Sequence, residues 1–97
     1  MMDHSRYEDV RPDTLDAIDR YVTLGIPTGS FLEAVLCNNL MESFGRADMG
    51  NRMALFEICD YIYNETPAGC HGSPEKVRAW LKLKADQRNL SKEPTGL

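Results

Sequence analysis

Gly25-Ile26-Pro27-Thr28-Gly29-Ser30-Phe31-Leu32-Glu33-Ala34-Val35-Leu36-Cys37-Asn38-Asn39-Leu40 is the stretch on which the fold turns. Gly25 can take the left-handed conformation at no steric cost and so ends a helix, with Ile26 placed to fold back onto its last turn. Pro27 forbids continuation. Ser30-Phe31-Leu32-Glu33 fits a capping box, in which the serine and glutamate side chains each satisfy the other residue's backbone N–H, so a second helix is expected from Ser30. Leu32, Val35, Leu36 and Leu40 make its core stripe, while Phe31, Met41 and Phe44 carry apolar surface beyond one face. A helical hairpin whose second arm is buried on more than one side follows.

Upstream, Pro12-Asp13-Thr14-Leu15-Asp16 reads as a helix start with Asp13 as cap. Leu15, Ile18 and Val22 recur at helical spacing, widened by Ala17, Tyr21 and Leu24. Residues 1–11 are polar and aperiodic, a flexible arm from which Tyr7 and Val10 can tuck against the body. Downstream, Gly45 is a stop and Asp48 a cap for a helix from Met49 through Asn64. On it Leu55, Phe56, Cys59, Ile62 and Tyr63 share one face, and Met53, Ile58 and Tyr61 look elsewhere. After the loop Asn64 to Gly72, Ser73 caps a last helix with Pro74 at its first position, where the missing N–H would go unpaired anyway. Val77, Trp80 and Leu81 anchor that helix. From residue 86 the chain has little to bury and is expected to form a disordered tail, 86–97. The expected architecture is therefore all-α, a single domain over 12–85 with three main helices and a shorter C-terminal one.

With 97 residues, 42% of them hydrophobic and 27% charged, the chain has the composition of an ordinary globular domain. No apolar run approaches the ~18 residues of a membrane span, and Met1-Met2-Asp3-His4 opens no signal peptide, so a cytoplasmic place is expected. Cys37, Cys59 and Cys70 are an odd set without Cys-x-x-Cys spacing, read as reduced and mostly buried thiols. The net charge of −4 is uneven: residues 1–64 carry five basic and 11 acidic groups, residues 65–97 six basic and four acidic. An acidic body repels phosphate backbones, which argues against nucleic acid as a partner. The basic C-terminal helix can instead meet an acidic patch on a partner or on another copy.

Several constellations invite a functional reading. Thr28, Gly29 and Ser30 place hydroxyls and free N–H groups at a helix start, as a site for a nucleotide-like anion would; capping explains the same residues, and Glu33 would repel an anion. Asn38 and Asn39 fall in the middle of the predicted second helix, where asparagine is a poor helix former, so one of the pair ties the helix to the following loop or contacts a ligand. Met53, Tyr61, Tyr63, Asn64 and Trp80 are of the types enriched at interfaces and form an expected partner surface, shared between core, self-association and a foreign protein. Cys70-His71 suggests a thiol nucleophile and base, against which neighbouring residues rarely point at one another. His4 lies in the loose arm, and no metal-ligand set or cofactor motif is spaced sensibly.

The pattern YV-x2-GIP-x-GSFL-x-AVL from Tyr21, then Y-x-YNE-x-P-x2-C-x-GS from Tyr61 and a tryptophan at Trp80, resembles a family of short phage and prophage accessory proteins over residues 15 to 81. His71 departs from that pattern, standing where a tryptophan is expected. The resemblance implies a virus-related accessory role in a bacterial host and carries over no catalytic residue. Three functions are in view: a non-enzymatic protein that binds a host protein, such as a component of antiviral defence; an oligomeric sponge for a small nucleotide-like anion; and a thiol enzyme using Cys70.

Overall fold

The computed structural model describes residues 4–92, and every regular element in them is helical. The order is α1 (Pro12–Leu24), α2 (Ser30–Leu36), α3 (Leu40–Arg46), α4 (Met49–Met53), α5 (Leu55–Glu65), a 3-10 turn at Ala68–Cys70, and α6 (Pro74–Lys92). No helix of the described residues is long and apolar enough to cross a membrane. The all-α reading holds, but two of the expected helices are broken. The second becomes α2 and α3, and the third becomes α4 and α5, interrupted at Ala54.

The break between α2 and α3 explains the two asparagines. Asn38 has φ +64, in the left-handed region that asparagine tolerates better than most side chains. Its N–H donates to the Val35 carbonyl at 3.0 Å, and the Asn39 N–H to the Ala34 carbonyl at 2.9 Å. That pair of bonds is a Schellman ending with asparagine in the position glycine usually fills. Asn39 then caps α3, its Oδ1 accepting from the Glu42 N–H at 3.2 Å. Gly25 ends α1 at φ +70, its N–H donating to the Tyr21 carbonyl at 2.9 Å.

Other caps fall partly as expected. Asp48 Oδ1 accepts from the Asn51 N–H at 2.8 Å, and Ser73 Oγ from the Lys76 N–H at 3.1 Å. The capping box does not form: Gly29, with φ +103, is the N-cap of α2 and Ser30 is already its first helical residue. Likewise Arg11 precedes α1 and Pro12 opens it, so Asp13 lies inside the first turn, facing the positive end of the helix dipole.

One buried cluster joins Leu15, Ile18, Tyr21 and Val22 of α1 with Phe31, Leu32 and Leu36 of α2, Leu55, Ile58, Tyr61 and Ile62 of α5, and Val77 of α6. Tyr7 and Val10 do tuck in, at 2% and 3% exposure, so residues 4–11 are packed on the body. The face expected of α5 is corrected. Ile58 and Tyr61 are fully buried, whereas Phe56 and Tyr63 are 81% and 78% exposed.

The C-terminal helix is also corrected, from the shortest main element to the longest, at 19 residues, and it includes residues 86–92 that were expected in a tail; residues 93–97 lie outside the described part. Little apolar surface holds its second half. The Trp80 indole N–H donates to the carbonyls of Tyr21 and Val22 at 3.3 and 3.2 Å, and the Arg88 guanidinium donates to that of Leu24. The Tyr21 carbonyl already accepts from Gly25, whereas those of Val22 and Leu24 belong to the open end of α1, where a cation also meets the negative end of the helix dipole. Lys84 lies 5.0 Å over the Trp80 ring, and Lys82 pairs with Asp86 at 3.1 Å one turn on. Polar contacts of this kind leave no apolar period in the sequence.

Candidate functional site

The residues expected to hold a small ligand separate into two places. Thr28, Gly29 and Ser30 line a crevice of about 210 Å³ with Tyr21, Pro27, Glu33, Leu36, Val77 and Leu81. Its walls are apolar and its charged group is the Glu33 carboxylate, the wrong sign for an anion. At seven residues, α2 also brings only a small dipole to that point. Asn38 lines a different depression of about 300 Å³, with Val35, Cys59, Ile62, Tyr63, His71 and Gly72. Asn39 joins neither, its side chain being committed to the α3 cap.

The second depression gathers a thiol, an imidazole, a phenol and an amide. Cys59 is exposed as a residue, but the walls of the depression partly desolvate its thiol and hold it above the ordinary range, so it is protonated near neutral pH. Burial, followed by the Lys76 charge, pushes the His71 imidazole down, so it is neutral there. A protonated thiol beside a neutral imidazole is a poor nucleophile. Cys70 does not line this depression: it is fully buried, its Sγ donates to Thr66 Oγ1 at 3.5 Å, and burial raises its pKa as well. Of the three thiols only Cys70 is buried; Cys37 is half-buried and Cys59 exposed, which corrects the mostly buried expectation.

The expected partner residues do not form one surface. Met53 and Tyr63 are each 78% exposed, and Asn64 is exposed with its Nδ2 donating to Asp60 at 2.7 Å. Tyr61 is in the core and out of a partner's reach, and Trp80 is half-buried against the end of α1. What the surface of α3, α4 and α5 presents instead is Met41, Met49, Met53, Phe56 and Tyr63, all more than two-thirds exposed. Acids accompany them. The Glu57 carboxyl is held above its usual range by desolvation, by its hydrogen bond with the Asp9 carboxyl and by nearby Asp60.

A further cluster was not legible in the chain. The His4 Nε2 lies 2.7 Å from Asp19 Oδ2, and the Tyr61 hydroxyl donates to Asp19 Oδ1 at 2.5 Å. Beside it the Tyr7 hydroxyl donates to Glu65 Oε2 at 3.1 Å, and the Tyr7 and Tyr61 rings meet edge to face at 4.9 Å. Burial, with the bond to Asp19 behind it, raises the Tyr61 pKa. Donor atoms of His4, Asp16 and Asp19 all lie within 4.8 Å of one another, the one such set of three potential metal ligands among the described residues. Asp16 and Asp19 sit three apart on a helix and could have been noticed as a pair. Nothing in the sequence joins position 4 to them.

Compared with known proteins, the chain matches no family model, no curated protein and no solved structure.

Proposed function

We propose that this chain works by binding, as a phage or prophage accessory protein that engages a host protein through exposed apolar side chains of α3, α4 and α5. One observation carries the reading: Met41, Met49, Met53, Phe56 and Tyr63 stand 80%, 68%, 78%, 81% and 78% exposed on a body small enough to need its apolar side chains inside. Methionine and aromatic side chains are the adaptable and the rigid anchors of protein interfaces respectively. Glu57 and Asp60 beside them favour a partner with basic residues at the rim of its contact. The phage resemblance supplies the context of a bacterial host.

Affinity capture from host lysate with the wild-type chain and with the Phe56→Glu, Tyr63→Glu double variant tests this. Both side chains are outside the core, so the variant is expected to keep its circular dichroism and melting temperature. A host protein retained by the wild type and lost with the variant supports the reading. Identical capture by both, or none by either, sinks it.

A further inference from the structure

We infer that His4, Asp16 and Asp19 form a binding site for a divalent transition-metal ion of the Zn²⁺ class, which fastens residues 4–11 to α1. The inference stands apart from the proposed partner face and does not rest on it. One imidazole nitrogen and two carboxylate oxygens are a donor set that zinc accepts, with a fourth position left to water. The three donors lie within 4.8 Å of one another. Donor atoms around a tetrahedral zinc stand about 3.4 Å apart, so the 2.7 Å contact between His4 Nε2 and Asp19 Oδ2 need only open slightly.

A separate contact prepares Asp19 for this task. Tyr61, held rigidly in the core, donates to Oδ1 at 2.5 Å and leaves Oδ2 to face His4. An outer hydrogen bond of that kind fixes a ligating carboxylate. The burial of Tyr7 and Val10 sets the arm that carries His4. Among the described residues no lysine or arginine pairs with Asp16 or Asp19, so a dication would balance two carboxylates that have no fixed cation beside them. Asp16 is exposed, which gives the ion a way in.

The test is calorimetric titration of the full chain with Zn²⁺ under a non-thiol reductant, with melting temperatures followed in parallel. Saturable uptake of one ion per chain and a rise in melting temperature that grows with Zn²⁺ are expected. His4→Gln and Asp16→Asn, both at exposed or half-exposed positions, should each weaken uptake at least tenfold. Tyr61→Phe, which removes only the hydroxyl, should weaken it about 10- to 100-fold. Co²⁺ substitution should give the comparatively intense visible d–d bands of a four-coordinate site, without sulfur-to-metal charge transfer. Absence of saturable uptake, uptake unchanged in His4→Gln, or a sulfur charge-transfer band would each overturn the assignment.

Discussion

The Tyr21 hydroxyl donates to the Cys70 carbonyl at 2.7 Å, a buried bond between residues 49 apart in sequence that ties α1 to the 3-10 turn ahead of α6. Tyr21 is 1% exposed and Cys70 fully buried, so water cannot replace the donor. Tyr21→Phe keeps the ring and strands the carbonyl, at a cost of about 1–3 kcal/mol. The expected result is a lower urea midpoint at unchanged slope. Tyr63→Phe, at a phenol 78% exposed, serves as control and should change stability by less than about 0.5 kcal/mol.

Gly25 and Gly29 both have positive φ, yet they should respond differently to alanine. At Gly29, φ +103, a Cβ would meet open space, so the substitution carries only its backbone strain. At Gly25, φ +70, the Cβ would collide with the Cβ of Lys84 on α6 as well. Gly25→Ala adds to the strain a displacement of α6 and with it the loss of the Trp80 and Arg88 contacts at the end of α1. Thermal melts should rank Gly25→Ala as the more damaging, with a far-UV signal that shows fraying of α6.

Asn38 and Asn39 should separate cleanly by substitution. Asn39→Ala removes the α3 cap and is expected to cost about 0.5–2 kcal/mol, while Asn39→Asp keeps an acceptor and adds a charge suited to the helix dipole. Asn38→Gly should be neutral or slightly stabilising at φ +64, and Asn38→Ala destabilising. Were the pair reserved for a ligand and not for the chain reversal, Asn38→Ala would be tolerated as well as Asn38→Gly. Denaturant titration of the four variants decides it.

What could be read from the chain divides along the same line. Signals that act over a few residues were legible: Gly25 as a stop, Asp48 and Ser73 as caps, Pro74 as a first helical residue. Asn38-Asn39 is unfavourable in a helix interior, and the break it makes follows from the same propensity together with asparagine's tolerance of the left-handed region. The face of α5 was not legible, because Leu55 and Ile62 belong to two apolar stripes and only the neighbours in space choose Ile58 and Tyr61 over Phe56 and Tyr63. The His4, Asp16 and Asp19 cluster needs the arm to fold back on α1, a contact with no local signature. The end of α6 escaped because it is held by bonds to carbonyls, which composition does not record.

Alkaline pH should expose the tyrosines of the core. Burial raises the pKa of Tyr21 and Tyr61, and also that of Tyr7, where the Glu65 carboxylate adds to it. A phenol whose folded pKa lies above its unfolded value near 10 keeps its proton in the native state while the unfolded chain loses it. Between those two values the unfolded state binds fewer protons, so stability falls as pH rises. Below pH 10 this contribution is fully present; above it, each such phenol removes up to about 1.4 kcal/mol per pH unit. Urea titrations at pH 8, 10 and 11 should therefore show a steep loss above 10 in the wild type. Tyr61→Phe has one fewer buried phenol to ionise and no hydroxyl beside the Asp19 carboxylate, so its stability should decline less steeply over the same interval even if it starts lower. Parallel declines in the two proteins would mean that Tyr61 ionises freely in the folded chain, contrary to its burial.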